Sequence, residues 1–319
     1  MRINFIFLRD ITYGGPGSFQ SRFIKSLKKK KVSHSIKKIN SKLNNCLLLI
    51  AGTKNIFLLL FYKFKKIKIV HRLDGLNWQH KIKCSSFSKY WLSETRLKLV
   101  WFIRRYFADK IIYQSEFVKS LWQQYDYLNK PSIVIHNGSF KQKFKKKIIN
   151  QNDLKLVAVE GELNCEPMYH ILDQLSDINI DVYGNYDLRR ASRIKGKIVF
   201  KGAVNREEIL RVLPSYDAYI SLELLPPCPN SVIEAMSFGL PIFGFSTGAL
   251  YELAKDGALL ADYGSNPYKM ELPNVSNLRK LLPRLKKNLS KLSYLSWKRH
   301  QINLNIDLIT KKYINFCFD

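Results

Sequence analysis

The sequence of 319 residues predicts an α/β protein built from two doubly wound halves. Three observations predict it. Short apolar runs alternate with amphipathic helical patterns, which is the signature of βα units on a parallel sheet. The alternation breaks at a basic, sparsely patterned stretch, residues 139–153, and then restarts. The apolar fraction of 46% in a chain of this length is enough to fill two ordinary cores.

In the first half, residues 2–8 read as a buried strand. Residues 18–31 read as an amphipathic helix with Phe19, Phe23, Ile24 and Leu27 on one side. Its basic end suits the negative pole of a helix. Further strands are expected at 46–51, 67–71, 110–114 and 132–136, and helices at 90–106 and 115–127. The second half offers strands at 154–160, 180–183, 197–200, 218–222 and 242–245. Asn205 followed by Glu208 marks a helix start, the Asn capping one amide and the Glu reaching back. Residues 231–238 form a short helix ended by Gly239, and 277–318 a basic helical tail. The expected domains are 1–150, 151–295 and a C-terminal helix, 296–319, returning toward the first. A cleft between the two halves is the expected architecture, with ligands expected at strand carboxyl ends.

The composition carries 53 Lys and Arg against 25 Asp and Glu, a net charge of +28. Such a field draws phosphate-bearing partners or an anionic membrane surface. The alternative is a Lys-rich composition on solvated faces. Nucleic acid is the weaker partner, because no finger, basic zipper or aromatic RNA-binding motif accompanies the charge. The cysteines, Cys46, Cys84, Cys165, Cys228 and Cys317, are scattered and odd in number, which suits free thiols in a reducing cytosol. Residues 1–9 are too short and too soon charged for a signal peptide. The apolar stretch 47–62 is interrupted by Gly52, Thr53, Lys54 and Asn55, so it reads as strand, turn and helix rather than a membrane span. The expected location is cytoplasmic, with a peripheral place on the inner membrane face.

The chemistry concentrates before the helix at Ser231. Pro227, Cys228, Pro229 and Asn230 make a rigid loop, with Asn230 placed to cap the helix. The amides of Ser231 and Val232 then point from the helix start, where partial positive charge favours phosphate. One turn in, Glu234 can accept two hydrogen bonds from vicinal ribose hydroxyls; alternatively it only complements the helix dipole. Gly14–Gly15–Pro16–Gly17 lacks the spacing of a dinucleotide fingerprint.

The segment PCPNSVIEAMSFGLPIFGFSTGALYEL resembles the donor site of family 4 glycosyltransferases of the GT-B fold, in the branch with a Pro-Cys-Pro-Asn loop. GGPGSFQSRFIKSL, VHRLDGLNW, IIYQSEFVKSLW, VIHNGS and FKGAVNREEILRVLPSYDAYISL agree with it in order across nearly the whole chain. The resemblance implies two Rossmann-like domains and retaining transfer of a sugar from a nucleotide diphosphate donor, with no cofactor and no obligatory metal. It implies a glycan or lipid-linked glycan acceptor of the polysaccharide or lipopolysaccharide type. By position, Glu234 would hold the donor ribose and the amides of Ser231 and Val232 would face the diphosphate. Asn230, Gly202, Gly15 and Gly17 complete the implied donor contacts, the last two by letting backbone approach phosphate. Asp74 and Arg72 are the implied catalytic pair, Asp74 toward sugar hydroxyls and Arg72 toward a phosphate. Equally, the two make a buried ion pair at a strand end.

The sequence departs from the family at three places. Where the family carries a carboxylate eight positions before the ribose-binding Glu, this chain has Pro226, and Glu223 lies three residues earlier. Where the family has an Arg and a Lys beside the leaving diphosphate, this chain has Glu162 and Pro167. Arg9, Arg72 or the group Arg189, Arg190 and Arg193 would have to replace them, because leaving-group stabilisation is usually the largest catalytic contribution. A rival reading is therefore a homologue that keeps the fold and the ribose site without catalysis; a basic nucleic-acid binder is a third. His136 reads as a core residue in a strand, and His34, His80, His170 and His300 have no metal spacing. The stripe in 90–106, with Trp91, Trp101, Phe102 and Tyr106, reads as a core-facing helix, and as a lipid-facing one in the alternative.

Overall fold

The computed structural model describes residues 3–11, 14–83, 86–144 and 154–319. The chain runs β1 (Ile3–Phe7), α1 (Gly14–Lys29), β2 (Ser33–Ile36), β3 (Asn44–Ile50), α2 (Ile56–Phe64), β4 (Lys68–Leu73), α3 (His80–Lys83), α4 (Phe87–Phe102), β5 (Lys110–Tyr113), α5 (Glu116–Tyr125) and β6 (Ser132–Val134). It continues with β7 (Lys155–Glu162), α6 (Glu166–Gln174), β8 (Asn179–Asn185), α7 (Leu188–Ala191), β9 (Ile198–Gly202), α8 (Arg206–Val212), β10 (Ala218–Ile220), α9 (Asn230–Ser237), β11 (Ile242–Phe245), α10 (Leu250–Ala254) and β12 (Ala258–Ala261). Three helices close it: α11 (Val275–Arg279), α12 (Leu282–Arg299) and α13 (Ile306–Phe318).

Among the described residues there are two parallel sheets of six strands, ordered β2-β1-β3-β4-β5-β6 and β12-β11-β10-β7-β8-β9. Each belongs to its own compact unit. The first unit holds residues 1–138 and 306–319, the second 139–305. The divisions fall at 138 and 305 where the sequence pattern gave 150 and 295, and much of the expected linker, 145–153, lies outside the described residues.

In the first unit β1, β3 and β5 are mainly apolar, buried runs, as sheets covered on both faces require. One face packs Phe5 and Phe7 against Phe19 and Phe23 of α1 and against Tyr313 and Phe318 of α13. The other packs Ile6, Leu47, Leu49 and Ile69 under Leu59 and Tyr62 of α2 and Ile103 and Phe107 of the π-helical turn after α4. In the second unit Asn205 accepts from the Glu208 amide and caps α8, as its sequence spacing predicts.

Several expectations are corrected. Most of the stripe of 90–106 turns away from the core: Trp91, Phe102 and Tyr106 are exposed, and of the four named rings Trp101 alone packs, half-buried, against a core cluster. Helical periodicity identifies an apolar face without saying which way it points. His136 lies past the end of β6, half-buried in a loop. The tail is not one helix: after a π turn at 300–304, Asn305 is extended and bridges Ser139 before α13 begins. The first helix starts at Gly14 rather than Ser18, so Gly15 and Gly17 lie in its first turn.

Candidate functional site

In the second sheet, β8 and β9 extend from β7 on one side and β10, β11 and β12 on the other. The order therefore reverses between β7 and β10. Crevices at the carboxyl ends of such strands are where open α/β sheets take ligands. Glu160 stands near the end of β7 and Glu223 just past β10, and α9 begins after the loop that follows.

Glu160 is buried, and its Oε1 accepts from the Leu222 amide at 3.0 Å. Burial, and then the negative charge of Glu223, push its carboxyl well above the usual carboxylate range. Burial alone raises Glu223. Two such groups close together cannot both ionise easily, so the pair keeps a proton near neutrality and can donate a hydrogen bond as well as accept one. A small cavity beside them is lined by Glu223, Ser221, Thr247 and Tyr263. The Ser221 hydroxyl is buried there without a protein partner.

The pair has a pH consequence. A carboxyl raised in the folded state binds its proton more tightly than in the unfolded chain, so folding stability falls as pH rises from the ordinary carboxylate value through neutrality. Glu160→Gln keeps the size and removes the titration. Its melting temperature should therefore lose less than the unsubstituted chain's between mildly acidic and mildly alkaline buffer. Parallel melting curves across that range would refute the coupled acid pair.

Helix α9 presents Ser231, Val232 and Glu234. The expected cap is corrected: the N-cap is Pro229, with no side-chain cap bond, and Asn230 is the first helical residue. The amides of a helix's first turn have no partner within the helix, and they carry its partial positive charge. The Ser231 hydroxyl is 2.9 Å from the hydroxyl of Tyr219, which also bonds the Val159 carbonyl at 2.8 Å. This ties the helix start to β7 and β10. Glu234 is buried, and Arg206 Nε donates to its Oε1 at 2.7 Å. Arg206 opens α8 beyond Gly202, which ends β9 with φ +77°. Its sequence setting showed only a residue following a cap. Pro226 is locked from the other side: the Ala249 amide donates to its carbonyl at 2.8 Å, and Leu225 before it has φ +50°. Gly248 is obligatory there, since a Cβ would lie 2.5 Å from the Pro226 nitrogen and oxygen. Glu162 is exposed at the end of β7, and Pro167 is buried in the first turn of α6. Of the suggested replacement cations in this unit, Arg190 lies over the Tyr169 ring and 3.3 Å from Glu166.

In the first unit the strand order reverses between β1 and β3. Gln20 of α1 clamps the chain after β1, donating to the Arg9 carbonyl at 2.9 Å and accepting from the Ile11 amide at 3.1 Å. Arg72 is only 1% exposed. It donates to Asp74 at 2.5 Å, to Gln114 at 3.1 Å and to Asn137 at 2.6 Å, and its guanidinium lies 4.2 Å from the Phe19 ring centre. These surroundings are those of a buried ion pair, with Asp74 the more accessible partner.

Residues 162–270 match the family model described as Glycosyl transferases group 1. The model begins at the end of β7 and spans Glu223, Pro226 and α9. Solved structures resemble the whole chain. Sucrose-phosphate synthase from Thermosynechococcus elongatus has a TM-score of 0.67 at 10% identity, covering 99% of this chain and 98% of that one. Anabaena HepE in complex with UDP-glucose has a TM-score of 0.67 at 15% identity, covering 98% of both.

The fold is GT-B.

A glycosyltransferase from Rickettsia africae shares this GT-B architecture at a TM-score of 0.63 and 14% identity, with 98% of this chain and 97% of that one covered. No curated protein matches the chain in sequence. Each of the two Rossmann-like sheets of the GT-B fold thus has its own reversal point, and the matched family segment contains most of the second.

Proposed function

We propose that the protein is a glycosyltransferase of family 4, transferring a hexose-type unit with retention from a nucleotide diphosphate sugar to a glycan or lipid-linked glycan. The observation that carries this reading is the convergence of Glu160, Glu223 and the start of α9 at the reversal point of the second sheet. The donor diphosphate would meet the Ser231 and Val232 amides, and its ribose would meet Glu234, held in place by Arg206. Asn230 and Gly202 belong to the same donor set. The protonated Glu160–Glu223 pair would supply the sugar hydrogen bonds that Pro226 cannot. In the first unit, Gly15, Gly17 and Asp74 keep their assigned donor and sugar contacts. Arg72 acts by fixing Asp74 rather than by touching phosphate, because it is buried and its two terminal nitrogens donate to Asp74, Gln114 and Asn137. The reaction in this reading needs no metal. Its setting is cytoplasmic, in polysaccharide biosynthesis, with a peripheral place on an anionic membrane supported by the net charge of +28. The neighbour solved with UDP-glucose makes that donor the first to try.

The second reading, a donor binder without catalysis, is favoured by Glu162 and Pro167 standing where the family has cations. One experiment separates them. Purified protein is offered UDP-, GDP- and ADP-sugars in the presence of EDTA, with thermal shift and release of free nucleotide both followed. A shift with release supports the transferase, and a shift without release supports the binder. Glu234→Ala should abolish the shift. Absence of a shift with every donor would overturn both.

A further inference from the structure

Helix α2 turns an apolar face outward. Phe57, Leu60, Phe61 and Phe64 recur at the spacing of a single helical face, and all are exposed, Phe57 at 85% and Phe64 at 82%. Its inner face is already satisfied, because Leu59 and Tyr62 are fully buried. Helix α4 behaves alike. Phe87, Trp91 and Phe102, with Tyr106 just beyond, run along one exposed stripe that also carries Thr95 and Lys98. Phe87 packs edge-on to Trp91 at 5.9 Å, and Phe102 lies 5.0 Å from Tyr106. The two helices are neighbours on one face of the first sheet, since Leu59 and Tyr62 share a core cluster with Ile103 and Phe107. Their outward stripes therefore belong to one surface.

That surface is basic. Lys54, Lys65, Lys66, Lys89, Arg96 and Lys98 are exposed on or beside the two helices. Lys65 lies 5.9 and 5.8 Å from the Phe61 and Phe64 ring centres. The nearby carboxylates are engaged: Asp109 by Lys63, Glu94 by His80, and Asp126 by Arg104 and Arg105.

We propose that the outer faces of α2 and α4 dock on an anionic lipid bilayer. Phenylalanine and tryptophan rings enter the boundary between headgroups and acyl chains, and the surrounding lysines meet anionic headgroups. A second copy of this chain is the poorer occupant, because a self-complementary contact would set these cations against one another with no carboxylate between them. Among the described residues no helix is long and apolar enough to cross a membrane, which fits shallow insertion. The inference rests on the peripheral-membrane part of the proposed function and names the surface responsible.

The test is cosedimentation of the full chain with vesicles of phosphatidylcholine and phosphatidylglycerol, against phosphatidylcholine alone. The chain should pellet with the anionic vesicles. The F57S/F64S variant should bind at least about tenfold more weakly, because each ring removes a large buried apolar area. K65Q/K66Q should lose roughly fivefold per lysine on anionic vesicles and nothing on neutral ones. Failure of the unsubstituted chain to pellet overturns the proposal. So does unchanged binding of F57S/F64S, or a dimer that this variant dissolves without any vesicle binding. Should F57S/F64S melt early, the lysine pair decides, and its unchanged binding is fatal. The donor-induced thermal shift is read on the same preparations and should be equal in all of them, so failure on vesicles leaves sugar transfer standing, and the reverse.

Discussion

Gly184→Ala should destabilise the second unit by more than about 4 kcal/mol, the range reached only by backbone or core violations. Gly184 lies in β8 with φ +136°, a conformation in which side chains are strained whatever space surrounds them. Here there is no space. A Cβ would sit 2.1 Å from the Glu160 carbonyl oxygen and 3.0 Å from its carbon. Neither strand can yield cheaply, because β7 and β8 pair at Val159–Tyr183 and again at Glu162–Asn185, with a register shift between. That shift is the bulge on which Glu160 sits, so relaxing the clash would also displace buried Glu160 from Glu223. Urea unfolding is the measurement. A variant that unfolds at the unsubstituted midpoint would mean that the close approach of the two strands is wrong.

Arg72→Met is the second large effect, with an expected loss of about 3–5 kcal/mol, the cost of breaking a buried ion pair by removing one partner. Asp74 can recover water because its side chain is 30% exposed. Gln114 and Asn137 are both buried, and each would lose its bond to the guanidinium. Arg72→Lys should restore little, since one ammonium cannot reach three separated acceptors and also stack on Phe19. Urea midpoints for the two variants should both fall well below that of the unsubstituted chain. A lysine variant as stable as the original would show that point charge alone matters there.

Much of the fold is legible in the sequence because β3, β4, β7 and β11 are apolar runs closed by turn residues. The strands that escape are one edge of each sheet. β2 reads Ser-His-Ser-Ile and β12 reads Ala-Leu-Leu-Ala, and neither is distinguished by pattern from a loop or a helix fragment. The site divides in the same way. Ser231 and Glu234 are visible because they share one helix with a characteristic loop before it. Glu160 is not, because its chemistry arises only when β10 pairs beside β7 and brings Glu223 and the Leu222 amide to it. Arg206 likewise gains meaning only once α8 places it against α9. For α4 the sequence supplies the apolar stripe and withholds its direction, since the direction is set by which face α2 and the sheet leave uncovered.

The first unit is discontinuous in the chain: α13 completes it, yet 139–305 intervenes and folds as a unit of its own. During synthesis the ribosome therefore releases all of the second unit before the helix that closes the first. Until Tyr313 emerges, Phe19 and Phe23 lack the ring that packs on them at 5.4 and 5.0 Å. The later-encoded half can thus mature first, while the earlier half waits with an aromatic surface bare, the kind of nascent species that chaperones retain.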